Sequence, residues 1–147
     1  ENYLTVKELL VTLCSLVSKG GNFLLNIGPD GDGTIPPLME ERLLGMGKWL
    51  EVNGEAIYES EVYCKKASEG VYYTQRDGNI YAITEKFPSK ATVFPEIEYS
   101  ADYKASLLGS DADVIIENAD GKLSLKADIC SPEDVACEHL YVFKLSK

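Results

Sequence analysis

The sequence predicts an α+β protein in which an α-β-α segment is followed by an antiparallel β-sandwich domain. Two observations support this. Residues 4–50 combine two helical patterns with one short apolar run, whereas the later part of the chain alternates apolar and polar residues in short stretches between turn signals. Because the period changes from 3.6 to 2 beyond the turn signal Asn53-Gly54, we divide the chain into residues 1–58 and 59–147.

The first helix is predicted over residues 4–18. Thr5 and Glu8 have the spacing of a capping box, in which each side chain accepts a hydrogen bond from the other residue's backbone N–H. Gly20-Gly21 supplies the left-handed geometry that ends a helix. Apolar residues at spacings of three and four form one face, made up of Val6, Leu9, Leu10, Leu13, Leu16 and Val17.

A short apolar run, Asn22-Phe23-Leu24-Leu25-Asn26-Ile27, lies between glycines. An almost continuous apolar run of this length is typical of a strand that is buried on both faces of a parallel sheet. One such strand cannot cover its own edges, so its neighbouring strands are expected outside this chain. Self-association through that incomplete edge is one expected consequence.

A second helix is predicted from Pro36-Pro37 onward, after the glycine-rich loop at residues 28–33. Glu40 and Glu41 are expected in its first turn and Lys48 in its last, which matches the helix dipole. Gly45 and Gly47 are interpreted as positions of close helix packing. The inner face is predicted to consist of Met39, Leu43, Met46 and Leu50.

Residues 59–147 predict a sandwich of short strands without helices between them. Asp77-Gly78 is a strong hairpin signal between the first two strands. Pro95 cannot donate to a strand ladder, so its strand is predicted at a sheet edge. The predicted strands are residues 71–76, 79–84, 92–97, 103–108, 114–117, 123–129 and 139–145.

The composition argues against several function classes. The formal net charge is −10, and the acidic residues are spread along the chain, which predicts a solvated acidic surface and no nucleic-acid partner. No apolar run approaches the roughly 18 residues that span a bilayer, so no membrane partner is expected. Asp30-x-Asp32-Gly33 departs from a calcium loop, because Ile35 replaces the required glycine. The glycines at 28, 31 and 33 miss the dinucleotide-binding spacing.

The cysteines and the sole histidine do not predict a metal or nucleophile site. The spacing of the four cysteines matches no zinc pattern. Cys130 and Cys137 flank a turn, which leaves open a disulfide that closes a short loop or, alternatively, free buried thiols. His139 is interpreted as structural. Trp49 and the tyrosines are interpreted as core residues, although aromatic rings can also stack on sugars.

Three stretches of the first part, at residues 17–29, 32–36 and 49–58, resemble the α-L-fucosidases of glycoside hydrolase family 29. The resemblance implies that residues 1–58 are the end of a (β/α)₈-like catalytic barrel whose last strand is residues 23–27. It implies that residues 59–147 are the carboxy-terminal β-sandwich of that family. Since such a barrel needs about 250 residues, the chain is expected to be a truncated product or gene fragment of a longer protein.

The resemblance also implies the function of the parent protein. Members of the family are retaining hydrolases with an Asp nucleophile and a Glu acid/base about 5 Å apart. Both residues, and the histidines that bind fucose, lie upstream of the matching stretches. We therefore expect no catalytic residue, metal or cofactor in this chain, and no activity of the chain alone. Asn22 and Asn26, near the barrel mouth, are the candidate substrate-binding residues.

Fucosylated glycans are the expected partners of the parent enzyme, and a lysosomal or secreted location is expected from the resemblance. The alternative hypothesis is a non-catalytic β-sandwich module that binds carbohydrate or stabilises a partner barrel.

Overall fold

The structure, a computed structural model, describes residues 4–21 and 37–147. The predicted strand at residues 23–27, the loop at residues 28–33, and Asn22 and Asn26 lie outside these ranges. No described helix is long and apolar enough to cross a lipid bilayer. The helices are α1 (Val6–Ser18) and α2 (Pro37–Asn53), and the strands are β1 (Glu61–Val62), β2 (Val71–Arg76), β3 (Asn79–Thr84), β4 (Thr92–Glu98), β5 (Lys104–Leu107), β6 (Val114–Ala119), β7 (Lys122–Ala127) and β8 (Tyr141–Ser146).

Helix α1 begins with the predicted capping box. The backbone N–H of Glu8 donates to Thr5 Oγ1 at 3.1 Å, and the backbone N–H of Thr5 donates to Glu8 Oε1 at 3.0 Å. The predicted apolar face is confirmed in part. Leu16 was assigned to it wrongly, because 38% of its surface is exposed, whereas Cys14 is buried.

Helix α2 runs to Asn53, so Lys48 does not lie in its last turn as expected. Its buried residues are Met46, Trp49 and Asn53, whereas the predicted inner-face residues Met39, Leu43 and Leu50 are only half-buried. The difference arises from tertiary packing, because the side of α2 that carries the large Trp49 ring faces the sheet.

The two glycines of α2 differ in their surroundings. A Cβ atom on Gly45 would lie 2.7 Å from Val6 Cγ2 of α1, so the predicted close packing is confirmed there. A Cβ atom on Gly47 would meet no atom within 4 Å, so the same interpretation was wrong for Gly47.

The strands form two antiparallel sheets. One has the order β1-β2-β3-β8-β5 and the other the order β4-β7-β6. The seven predicted strands are present, β2 and β3 with the predicted bounds and the other five with shifted ends. Among the described residues, only the two-residue strand β1 was not predicted. The predicted α+β fold with an antiparallel sandwich is therefore confirmed.

Local sequence signals explain two features of the sheets. Asp77 and Gly78 both have positive φ, 51° and 82°, as the tight turn between β2 and β3 requires. Pro95 lies on β4, an edge strand as predicted, where the register with β7 shifts between Phe94 and Glu98. Proline has no N–H to donate, so it interrupts the ladder only where no further strand depends on it.

The five-stranded sheet is buried on both faces. One face packs on the three-stranded sheet in a cluster that we call the sandwich core, which includes Tyr73, Ala82, Phe94, Leu125 and Phe143. The other face packs on both helices in a cluster that we call the helix–sheet core, which includes Leu10, Cys14, Trp49, Ile83 and Val142. The molecule thus has three layers: helices, five-stranded sheet and three-stranded sheet. Residues on both sides of the predicted division at 58/59 share the helix–sheet core, and the division itself stays a prediction.

The four cysteines are free thiols, so the disulfide between Cys130 and Cys137 is not formed. Of the four, only Cys14 is buried; Cys64 and Cys137 are half-buried and Cys130 is exposed. Burial raises the pKa of the Cys14 thiol far above its ordinary value.

Candidate functional site

The candidate substrate-binding residues Asn22 and Asn26 lie outside the described residues, so their roles stay predictions. Within residues 4–21 and 37–147, no three His, Cys, Asp or Glu side chains are grouped to hold a metal ion. Several side-chain hydrogen bonds join residues 49–58, which we call the 49–58 segment, to the five-stranded sheet and its flanking residues.

Trp49 fixes α2 to the start of β8. Its indole Nε1–H donates to the carbonyl oxygen of Leu140 at 2.9 Å, and only 2% of the residue is exposed. An indole so enclosed offers no face to a sugar ring, so its interpretation as a core residue is confirmed.

The short 3₁₀ turn at Gly54–Ala56 is tied to β2 by a buried side chain. Thr74 Oγ1 donates to the carbonyl oxygen of Ala56 at 2.7 Å. Two residues further along the same strand, Arg76 Nη1 donates to the carbonyl oxygen of Tyr58 at 3.2 Å. The backbone of the 49–58 segment is thus held by side chains of the sheet beneath it.

Glu55 links the same turn to two more strands. Its Oε2 accepts a hydrogen bond from the hydroxyl of Tyr81 on β3 at 2.8 Å and lies 2.9 Å from Nζ of Lys144 on β8. Burial opposes ionisation of Glu55, but hydrogen bonds from Lys144 and Tyr81 and the charges of Lys144 and Arg76 lower the pKa of its carboxyl below the ordinary value.

The contact that lowers the pKa of Glu55 raises the pKa of Tyr81. Burial, the hydrogen bond to Glu55 and the charge of Glu55 raise the pKa of Tyr81 to about 12. At neutral pH, Tyr81 is therefore a protonated donor and Glu55 an ionised acceptor. The arrangement holds two groups together and leaves neither suited to move a proton.

Asn53 lies at the end of α2 and is fully buried. Its Nδ2 donates to the carbonyl oxygen of Trp49 at 3.3 Å, whereas its Oδ1 is the one buried side-chain polar atom of the described residues that has no partner. Burial raises the pKa of the neighbouring Cys137 thiol, and a hydrogen bond with the Asn53 side chain opposes this. A buried acceptor without a hydrogen bond costs stability, so the Asn53 side chain is a weak point at this end of the helix.

Tyr73 and Tyr81 are buried core residues with hydrogen-bonded hydroxyls, whereas most of the other described tyrosines are half-buried. Tyr73 is fully buried, and its hydroxyl donates to Glu96 Oε1 at 2.8 Å, while Ser68 Oγ donates to the other oxygen of Glu96 at 3.0 Å. Tyr58 is the exception, with 56% of its surface exposed. The interpretation of the tyrosines as core residues is therefore confirmed for Tyr73 and Tyr81 and is wrong for Tyr58.

An open cleft of about 1040 Å³ lies between α2 and residues 132–139. Its lining includes apolar side chains of α2, four carboxylates and His139. His139 has a left-handed backbone (φ 79°) and lies before β8, not at its head as predicted, with Nε2 3.5 Å from Glu138 Oε1. The structural role of His139 stays a prediction.

No pattern in the sequence predicts the contact of Glu55 with Tyr81 and Lys144. Only the register of β3 with β8, which pairs Tyr81 with Lys144, brings the two donors side by side. Tyr81 alternates with Ala82 along its strand, so its direction toward the helices could have been inferred once both faces of the sheet were known to be buried.

Comparisons with known proteins agree with the sequence resemblance. The family model described as alpha-L-fucosidase matches residues 1–55, and the model of the alpha-L-fucosidase C-terminal domain matches residues 65–146. The tissue alpha-L-fucosidase of Homo sapiens is 37% identical over 144 residues, which are 95% of this chain and 31% of that protein. The plasma alpha-L-fucosidase of Homo sapiens is 46% identical over 98 residues, which are 63% of this chain and 21% of that protein.

The fold agrees as well. The crystal structure of Thermotoga maritima alpha-fucosidase superposes with a TM-score of 0.81 at 33% identity, over 99% of this chain and 35% of that one. The chain thus spans about a third of the length of such relatives. Since the two family models together match nearly all of it, the chain belongs to the α-L-fucosidase family.

Proposed function

We propose that the protein is part of a retaining exo-glycosidase that hydrolyses terminal α-L-fucose from glycoconjugates. In this proposal, residues 1–58 are the end of the catalytic (β/α)₈-like barrel and residues 59–147 its carboxy-terminal sandwich. The supporting observation is the pair of consecutive family matches, at residues 1–55 and 65–146. The Thermotoga maritima alpha-fucosidase, whose structure in complex with fucose superposes with a TM-score of 0.79, also supports it.

The proposal includes the inactivity of this chain alone. A retaining mechanism needs two carboxylates on opposite sides of the glycosidic bond, and family resemblance puts both in the part of the relatives that this chain does not span. Asn22 and Asn26 would then help to shape the pocket wall without carrying out the chemistry.

An assay with nitrophenyl α-L-fucoside tests this. We expect no release of nitrophenol above the rate in buffer, with a full-length fucosidase as the positive control. Turnover by this chain at the rate of that control would refute the proposed absence of the catalytic pair.

The second candidate function is a non-catalytic module that binds carbohydrate or stabilises a barrel. The helix–sheet core favours the stabilising role, because the sheet buries apolar side chains of the 49–58 segment and of α1. Calorimetric titration with fucosylated oligosaccharides distinguishes the two roles. We expect no heat of binding; saturable binding would support a carbohydrate-binding module.

Self-association is a further proposal about partners. Four of the large apolar residues that are exposed lie at or on the two helices: Leu4, Leu16, Leu38 and Leu44. Large exposed apolar side chains on one layer of the fold favour association. Light scattering at several concentrations tests it; a monomer mass at every concentration would refute it.

For location, we propose a lysosomal or secreted protein, which the names of the relatives, tissue and plasma alpha-L-fucosidase, support. Fractionation of cells that express the full-length protein, with detection in lysosomes and medium, tests this. Recovery in the cytosol alone would refute it.

A further inference from the structure

The helical layer has a core of its own. The buried members of the helix–sheet core, such as Leu10, Cys14 and Trp49, are separate from those of the sandwich core, such as Phe94 and Phe143. Proteins open locally in units that correspond to such separate clusters. Local opening of the helical layer would therefore leave the buried side chains of the sandwich core in place.

Side-chain hydrogen bonds between the helical layer and the sheet are concentrated in the 49–58 segment. Trp49 and Ala56 are joined to the sheet by neutral hydrogen bonds, and Glu55 by a hydrogen bond and an ion pair. Within residues 4–21 and 37–147, the pair of Glu55 with Lys144 is the one ion pair between residues before 58 and residues after 59. Glu55 thus joins the segment to β3 and β8 at once.

We infer that Glu55 is a positioning residue, which holds the end of α2, and through α2 also α1, on the five-stranded sheet. Helix α2 begins directly after residues 22–36, and α1 ends shortly before them. Val6 of α1 packs closely against Gly45 of α2, so the position of α1 depends on that of α2. This role of Glu55 in holding the helices does not rest on the proposed function.

Glu55→Gln tests the inference, with Glu98→Gln as the matched control. Glu98 pairs with Lys122 at 2.6 Å within the three-stranded sheet, so its substitution also removes one carboxylate and one ion pair. Hydrogen exchange of the full chain is followed by mass spectrometry in α1, α2, β6 and β7. Alkylation of Cys14 in the helix–sheet core is measured in parallel, with the exposed Cys130 as the internal reference.

For Glu55→Gln we expect exchange in α1 and α2, and alkylation of Cys14, to become about two- to fivefold faster, the range for a partly exposed ion pair. Exchange in β6 and β7 should stay unchanged. Glu98→Gln should leave the helices and Cys14 unchanged. Tyr81→Phe removes one donor and should act in the same direction with a smaller effect, which keeps the test usable if Glu55→Gln folds poorly.

Reversal of the pair provides a rescue. Glu55→Lys and Lys144→Glu should each speed exchange in the helices, and the double variant should recover at least part of the lost protection. The inference is overturned if Glu55→Gln leaves the helices unchanged, if it speeds β6 and β7 equally, or if the double variant recovers nothing. None of these readouts needs turnover, so their failure is distinct from failure of the proposed function.

Discussion

The hydrogen bond of Thr74 with Ala56 allows the joint between helices and sheet to be measured directly. Thr74→Val replaces the hydroxyl by a methyl group of similar size. Thr74 is fully buried, and its Oγ1 donates to the Ala56 carbonyl oxygen at 2.7 Å. The substitution removes this bond and leaves a carbonyl group without its donor in a buried place.

The expected loss follows from these two effects. A neutral hydrogen bond contributes about 0.5–1.5 kcal/mol, and an unsatisfied buried acceptor costs about 1–3 kcal/mol. The two ranges describe parts of the same loss, so they are not simply added. We expect the free energy of unfolding to fall by about 2 kcal/mol. That loss corresponds to a melting temperature lower by about 4–8 °C for a chain of this size.

Urea unfolding followed by fluorescence is the assay. Trp49 is the only tryptophan of the sequence and lies in the helix–sheet core, so its emission reports on the joint itself. The control is Thr92→Val, because Thr92 Oγ1 donates to the Lys90 carbonyl oxygen at 3.3 Å in an exposed position. The control should change stability by less than about 0.5 kcal/mol. Equal stability of the two variants would refute the reasoning.

Three further predictions concern the same layer. Gly47→Ala should raise the free energy of unfolding by about 0.5–1 kcal/mol, because alanine has the higher helix propensity. Gly45→Ala should be less stable than Gly47→Ala in urea, because its Cβ would lie 2.7 Å from Val6 Cγ2. Equal stability of the two variants would contradict the close packing at Gly45. Asn53→Leu removes the unpaired Oδ1 and should be at least about 1 kcal/mol more stable than Asn53→Ala, which leaves a cavity. The reverse order of stability in thermal unfolding would contradict the cost assigned to the unpaired Oδ1. The pKa of Glu55 is lowered in the folded chain, so its stabilising contribution is present above its ordinary pKa near 4.5 and is lost as the pH falls through the folded value. The charged and titratable groups that face Glu55 are Lys144, Arg76 and Tyr81. The stability difference between wild type and Glu55→Gln, measured in urea, should therefore stay constant from pH 7 to 6 and shrink toward pH 3, and a constant difference over the whole range would exclude this role of the charge.

Features set by neighbouring residues could be predicted from the sequence. The capping box of α1 needs only Thr5 and Glu8, and the hairpin turn needs only two residues with positive φ, which Asp77-Gly78 supplies. The strands were found because short runs of β-branched and aromatic residues lie between turn signals. The two-residue strand β1 was missed because it is too short to show a period.

Features set by distant residues could not be predicted in the same way. The buried side of α2 depends on where Trp49 meets Leu140, a contact between residues 91 positions apart. The contacts of Glu55 depend on the register of β3 with β8. For the candidate site, the stretches of family resemblance predict a role for Asn22 and Asn26, which stays a prediction. The contacts of the 49–58 segment became evident only from the structure.

The middle sheet with two apolar faces limits how evolution and protein engineering can reuse the sandwich. A polypeptide that began at residue 59 would expose Ile83, Leu140 and Val142 to water, since these are covered by the helices. A gene fusion that transplants this sandwich must therefore carry the two helices with it or replace those side chains by polar ones. A gene that keeps the helices and the sandwich together needs none of these substitutions.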